Sequence, residues 1–241
     1  MMVRHELQWA VRRLLHRARL DVVSYVPERH PIARRMKLFE RHGIDLVLDV
    51  GANAGQYVKF LRNIGYQGEI LSFEPGSAAF AALERACAGD PSWKGRRVAL
   101  GDRAGQITLN ISGNNECSSI LPMLERHLAA YPDAAYVAKE DVEVVTLEKV
   151  LSDLPEANIF LKVDTQGFER QVIEGAGVAL SRIRGVQLEM SLVPLYQGEL
   201  LMPAMVNFMA ERGFVLMSIE PGSSDRETGQ LLQFDGLFFR D

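Results

Sequence analysis

The most chemically loaded stretch of this chain is Asp49-Val-Gly51-Ala-Asn53-Ala-Gly55, which follows an apolar run and opens a helical stretch at Gln56–Asn63. Glycines at such a turn let the backbone bend tightly and approach a ligand with no side chain in the way. The spacing is GxNxG, with Gln56 where a dinucleotide fingerprint has its third glycine, and no GKS or GKT follows, so pyrophosphate cradling is disfavoured. An acid just before the turn suits a nucleoside that carries a cation, because Asp49 can hold positive charge by Coulomb attraction or through water. Beyond Gly55, Glu74 closes a second apolar run in Leu-Ser-Phe-Glu-Pro. A carboxylate there can accept hydrogen bonds from both ribose hydroxyls, the plain alternative being a solvated strand-end acid. Asp102, after Val98-Ala-Leu-Gly101, is placed to accept from an adenine amino group, or else belongs to an ordinary turn. Asn114-Asn-Glu-Cys-Ser118-Ser119 offers amides and hydroxyls suited to cofactor or polyhydroxylated acceptor, and Tyr196 an aromatic face for a sugar ring; a polar loop and a core tyrosine are the alternatives.

These groups need a scaffold that brings distant segments to one edge. From residue 44 onward, apolar or β-branched runs alternate with helical stretches, the arrangement of a mostly parallel sheet with helices on both faces. Strands are expected near Leu46–Val50, Ile70–Glu74, Arg97–Leu100, Ile159–Asp164, Val186–Glu189 and Phe214–Ile219. Their nearly continuous apolar character fits strands covered on both sides. Residues 101–158 interrupt the alternation, with strands expected at Ile107–Ile111 and Val142–Val145 and a helix around Met123–Ala130; a stretch of this length reads as a cover or binding region. Leu231–Phe234 and Leu237–Phe239, joined at Asp235-Gly236, read as an antiparallel hairpin on the sheet edge. Residues 44–241 are therefore read as a single domain.

Residues 1–43 form a basic helical extension. Leu7, Ala10, Val11, Leu14, Leu15 and Ala18 recur at helical spacing, with Arg12, Arg13, His16, Arg17 and Arg19 on other faces. A helix docked on the body with a solvated basic face is the plain reading. A weak membrane-surface contact through residues 4–20, or a cap that attracts an anionic substrate, is the functional one.

Composition narrows the classes. With 47% hydrophobic and 24% charged residues among 241, the chain is an ordinary globular protein, and no run approaches the ~20 apolar residues of a membrane span. Only Cys87 and Cys117 occur, far apart and without a CxxC, so neither a disulfide framework nor a zinc site is indicated and a reducing cytoplasm fits. The net charge of −4 argues against nucleic acid as the main partner. It divides unevenly: ten Lys/Arg against four Asp/Glu in residues 1–43 (10 − 4 = +6), and seventeen against twenty-seven thereafter (17 − 27 = −10).

The sequence resembles the FkbM-type branch of the class I S-adenosylmethionine-dependent methyltransferases. The resemblance is carried by Asp49–Gly55 with Gln56-Tyr57, Ser72-Phe-Glu74-Pro75, Val98–Asp102, Leu161-Lys-Val-Asp164-Thr-Gln-Gly167-Phe-Glu169, Gln187-Leu-Glu189-Met-Ser-Leu-Val-Pro-Leu-Tyr196 and Asp235-Gly-Leu-Phe238. It implies a Rossmann-like, seven-stranded, mostly parallel sheet with an antiparallel last strand, S-adenosylmethionine as methyl donor, and a hydroxyl acceptor on a sugar, glycan or other metabolite. Many relatives carry Glu where Gln166 stands. For such a reaction the enzyme mainly aligns reactants, and a weakly nucleophilic hydroxyl gains from a base. Asp164 and Glu189, at the ends of the fourth and fifth expected strands, are the candidates. Asp164 can act as base, acceptor positioner or cofactor contact, or cap the helix near Gly167; Glu189 can act as base, or pair with Lys162 or an arginine. Two nearby carboxylates could instead hold a divalent cation that lowers the acceptor hydroxyl's pKa, but no dense Asp cluster supports this and no metal ligand is assigned. His127, on the helix of the interrupting region, could reach the cleft, but is read as an exposed helix histidine. The competing readings are a module that binds S-adenosylmethionine without turnover and, lacking its fingerprint, a nicotinamide-dependent oxidoreductase.

Overall fold

The computed structural model describes residues 2–240, excluding the side chains of residues 2–8 and 10. The side chains of Leu7 and Ala10 of the N-terminal stripe, and residues 1 and 241, lie outside it. The central strands are β1 (Leu46–Val50) and β7 (Ile159–Val163), both buried at every position as their apolar sequences require. On one side of β1 lie β2 (Glu69–Phe73) and β3 (Trp93–Arg96); beyond β7 follow β8 (Ile183–Ser191), β10 (Gln233–Phe239) and the edge strand β9 (Val215–Pro221). Strand order is β3-β2-β1-β7-β8-β10-β9, and only β10 runs antiparallel to its neighbours. The chain moves outward through β2 and β3 and then restarts at β7 on the other side of β1. The crevice outside the carboxyl ends of β1 and β7 is thus the switch point where open α/β sheets bind ligands.

Side chains alternate across the sheet. Leu46, Leu48 and Val50 of β1 enter one core with Leu161, Leu188 and Phe208, whereas Val47 enters the other with Phe160, Leu61 of α3 (Gln56–Asn63) and Phe39 of α2 (Pro31–Arg41). The interrupting region forms a second sheet, β4 (Ala99–Gly101), β6 (Tyr136–Thr146) and β5 (Gly105–Ser112), with its own small core of Ala99, Leu109, Val142 and Val144. α5 (Glu125–Ala130) connects β5 to β6.

Two expectations are corrected. The third strand of the main sheet is Trp93–Arg96, not Arg97–Leu100, whose end instead begins the second sheet as β4. An edge strand alternates between core and solvent, so Trp-Lys-Gly-Arg does not read as an apolar run. The C-terminal hairpin does not form either: Gln233–Phe239 is one continuous strand inserted between β8 and β9. Gly236 makes no turn; it lies inside the strand, against the end of the Met190 side chain.

α2 is fastened to the body by Arg35, which is 1% exposed. Its guanidinium donates to Glu220 Oε2 on β9 (2.8 Å), Gln187 Oε1 on β8 (2.7 Å) and the Tyr57 hydroxyl on α3 (2.6 Å). Truncation would strand the Glu220 carboxylate, whose side chain is 13% exposed, together with the buried Gln187 amide and the half-buried Tyr57 hydroxyl. Arg35→Ala should therefore lower unfolding free energy by about 3–5 kcal/mol, read as a shifted urea midpoint. A midpoint unchanged from the parent would show that α2 is not held this way.

Candidate active site

The loop after β1 is built by two left-handed glycines and a carboxylate. Gly51 has φ +74°, and a Cβ there would lie 1.8 Å from the Asp164 carbonyl oxygen, so only glycine lets the β1 and β7 ends come this close. Gly55, at φ +81°, sits against the Trp93 ring, which a Cβ would meet at 2.5 Å. Asn53 is left-handed too, and its backbone N–H donates to Glu74 Oε2 (2.9 Å) while Gly76 N–H donates to Oε1 (2.8 Å). Glu74 thereby fixes the loop while each oxygen keeps a free lone pair. Burial raises its pKa above the ordinary carboxylate value, against the pull of those two amides.

Asp49 lies one layer deeper. It is fully buried and faces the α2/α3 side of the sheet, where strand register sets Ser72, Asp49, Lys162 and Gln187 side by side across β2, β1, β7 and β8. Ser72 Oγ donates to Asp49 Oδ2 (3.0 Å) and Lys162 Nζ stands 3.2 Å from Oδ1. The same ammonium donates to the Gly51 carbonyl (2.9 Å) and lies 3.6 Å from Asp164 Oδ2. Burial alone would lower the lysine pKa, but attraction to Asp49 and Asp164 outweighs it and holds Lys162 charged. The cation opposite Asp49 is this lysine. Asp49 is absent from the cleft lining and acts on the glycine loop through Lys162.

The cleft at the switch point has a volume of about 430 Å³. Asp164 and Glu189 stand on its floor, bridged by a single side chain: Gln166 Nε2 donates to Asp164 Oδ1 and to Glu189 Oε2, both at 2.8 Å. The amide orientation is set by its other end, where Gln166 Oε1 accepts from the Tyr196 hydroxyl (2.5 Å). Gln233 Nε2 also donates to Glu189 Oε2 (2.8 Å), and Asp235 sits directly opposite Glu189 in the β8–β10 register. Burial first, then Asp164 and Asp235, raise the Glu189 pKa well above its ordinary value.

Asp235 is raised from 3.8 to about 6, by burial and by Asp164. A carboxyl whose folded pKa exceeds its unfolded value stabilises the fold below the unfolded pKa and loses that contribution as pH climbs through the folded one. From 3.8 to about 6 this amounts to at most about 3 kcal/mol. Tm should therefore decline between pH 4 and pH 7, and Asp235→Asn should flatten that decline; an equally steep decline in the variant would remove Asp235 as its source.

A family model described as the methyltransferase FkbM domain matches residues 49–216. The chain belongs to the FkbM methyltransferase family. Membership implies S-adenosylmethionine as methyl donor. Among curated relatives, the 2-O-methyltransferase NoeI of Sinorhizobium fredii is 25% identical over 171 residues, covering 68% of this chain and 70% of that protein. Among solved structures, an FkbM methyltransferase from Methylobacillus flagellatus is 14% identical with a TM-score of 0.47, covering 81% of this chain; the chain spans 43% of that one's length. An rRNA methylase from Streptococcus thermophilus is 10% identical with a TM-score of 0.46, covering 88% of this chain and 96% of its own.

Within this FkbM domain the site residues expected from sequence fall into two sets. Gly51, Asn53, Gln56, Glu74, Ser118, Asp164 and Glu189 line the cleft. Gly55 and Asp49 lie behind the loop. Asp102 does not line the cleft; it is exposed beside Arg103 (3.2 Å), because β4 turns away into the second sheet. Val98, Ala99 and Leu100 line that wall instead. Ser119 and Tyr196 are 1% exposed and stand behind the wall, where Ser119 Oγ donates to the Gln166 carbonyl (2.7 Å) and Tyr196 to the Gln166 side chain. Both hold Gln166, which is itself left-handed at φ +54°.

His127 is corrected from exposed to buried. It lines the cleft at 2% exposure, its ring edge-on to Tyr196, with Nδ1 unpartnered; burial lowers its pKa. Sequence reasoning passed over Gln166 as a bridge, Gln187, Gln233 and Arg35. The alternating apolar and polar residues of Val186-Gln-Leu-Glu-Met were the available signal for a strand with one polar face.

Proposed function

We propose that this protein transfers a methyl group from S-adenosylmethionine to a hydroxyl of a sugar, glycan or other uncharged hydroxylated metabolite. The observation that carries this reading is the pair of carboxylates, Asp164 and Glu189, held at one cleft floor by the Gln166 amide. The bound donor supplies an electrophilic methyl on a sulfonium that leaves as a neutral sulfide. The residues present fit it: Gly51 and Gly55 keep the loop open to close approach, and Asn53 and Gln56 border it. Glu74 has two free lone pairs for ribose hydroxyls, and Val98 and Leu100 give an apolar wall for a base.

Alignment in such a cleft can remove roughly 7–11 kcal/mol from the barrier. The hydroxyl proton must leave as its oxygen gains the methyl, and we assign it to Glu189, whose raised pKa makes the ionised group a stronger acceptor. Asp164 then orients the hydroxyl. Ser118, on the cover loop, faces the acceptor end, whereas Ser119 and Tyr196 position Gln166. The lining holds Glu74, Glu116, Asp164, Glu189 and Asp235 against one ammonium, Lys162, already tied to Asp49, and His127, whose pKa burial lowers. Such a cleft favours a cationic donor and opposes a polyanionic acceptor, which supports a small-molecule or glycan partner over nucleic acid. The O-methyltransferase relative is consistent with oxygen as the site of transfer.

The test is incubation with labelled S-adenosylmethionine and a panel of neutral oligosaccharides, amino sugars and short RNAs. Label on a carbohydrate oxygen is expected. Label on RNA or on nitrogen would overturn the acceptor class, and saturable binding with no transfer to any member would favour a non-catalytic binding role.

A further inference from the structure

Large apolar side chains left in water cluster in one place. Trp9, Val11, Leu14, Leu20, Val22, Val23, Tyr25 and Val26 are all at least 40% exposed, whereas the rest of the described chain contributes only scattered singles such as Val137 and Val178. A run of exposed large apolar residues this dense along one segment marks a surface that a partner covers.

The segment's architecture shows what that partner must tolerate. α1 (Met2–Arg17) ends where Leu20 N–H and Ala18 N–H return to the Leu15 carbonyl, with Arg19 left-handed at φ +58°. The chain then folds back along the helix, because Asp21 takes a two-pronged ion pair from Arg12 (2.9 and 2.6 Å) and lies 3.3 Å from His16 Nε2. Asp21 is the sole carboxylate between residues 7 and 27, so this pairing leaves no uncompensated negative charge on the segment. Arg13, Arg17 and Arg19 are exposed and have no acidic partner among the described residues. Trp9 sits on the arginine side of the helix, with the Arg12 guanidinium 5.7 Å over its ring.

We propose that residues 9–26 dock on an anionic lipid bilayer. Val11, Leu14 and the Leu20–Val26 strip enter the headgroup boundary, Trp9 lies at headgroup level, and the unpaired arginines meet lipid phosphates or carboxylates. Charge argues for this occupant over self-association through the arm: residues 9–26 carry four Arg and one Asp (4 − 1 = +3), while residues 44–241 carry −10. An anionic surface therefore attracts the arm and repels the body, fixing one orientation. Self-association through the arm would instead bring like-charged arginines together. None of the described helices is long and apolar enough to cross a membrane, so the contact is interfacial.

The test uses the full chain with vesicles of phosphatidylcholine alone or mixed with phosphatidylglycerol. Partition onto the mixed vesicles should exceed that onto pure phosphatidylcholine by about tenfold or more and fall away at high salt. Trp9 emission should shift to the blue on binding and Trp9→Phe should abolish the shift, because the other tryptophan, Trp93, is already buried. Leu14→Ser/Val22→Ser/Val23→Ser and Arg13→Glu/Arg17→Glu/Arg19→Glu should each remove binding while leaving affinity for S-adenosylhomocysteine unchanged, which shows an intact body. Equal partition onto both vesicle types, binding unaffected by either triple variant, or sedimentation showing that the apolar triple abolishes a dimer instead, would overturn the proposal. So would capture of short RNA in preference to the mixed vesicles.

Discussion

Glu74→Ala should raise the dissociation constant for S-adenosylhomocysteine by about 100-fold or more in calorimetry. Each charge-assisted hydrogen bond to a ribose hydroxyl is worth about 1.5–3 kcal/mol, and about 1.4 kcal/mol is a factor of ten. The side chain also holds the Asn53 and Gly76 amides, so truncation loosens the glycine loop as well as removing the acceptor. Glu74→Gln separates the two effects. Its single carbonyl can serve one of those amides, while its NH₂ opposes the other. An affinity for the Ala variant equal to that of the parent would falsify the ribose assignment, and retention by Gln alone would show that loop support matters more than charge.

The second large effect falls on turnover. Asp164→Asn and Glu189→Gln should each leave S-adenosylhomocysteine affinity within a few-fold of the parent while lowering transfer to a hydroxyl acceptor by roughly 10²–10⁴, the usual worth of a positioned base. The two should differ in pH dependence. A base acts when ionised, so parent activity should climb with pH along a limb set by the raised Glu189 carboxyl. Glu189→Gln should lose that limb, whereas Asp164→Asn should keep it at a lower level. If Glu189→Gln retains both rate and limb, Glu189 is a structural partner of Gln166 and Gln233 and the base lies elsewhere.

The legible parts of this protein are those decided locally. A strand buried on both faces must be apolar throughout, so Leu46–Val50 and Ile159–Val163 announce themselves, and α3 runs over the expected Gln56–Asn63. A turn with left-handed backbone against a neighbouring strand must use glycine, so Gly51 and Gly55 mark the loop without any knowledge of Trp93 or Asp164. A carboxylate at the next strand end is fixed by the same short-range logic, and Glu74 lies at the cleft as its position suggests.

Other features depend on pairings between segments far apart in sequence. Register between parallel strands makes Lys162 the neighbour of Asp49 across 113 positions and joins the two in a buried ion pair. α2, which reads as part of a basic arm, sends Arg35 beneath the sheet because β8 and β9 present Gln187 and Glu220 there. Trp93 makes an edge strand of a polar tetrapeptide by filling the space under Gly55. His127 is buried because α5 folds its ring against Tyr196. Sequence by itself determined the central strands of the sheet, the glycine loop and the acids at its edge, since each follows from the backbone and solvent preferences of a few adjacent residues. Tertiary structure alone decided which of those acids face the cleft and which are spent on buried cations, because a charge in a low-dielectric interior is defined by its partner, and the partner is chosen by strand register.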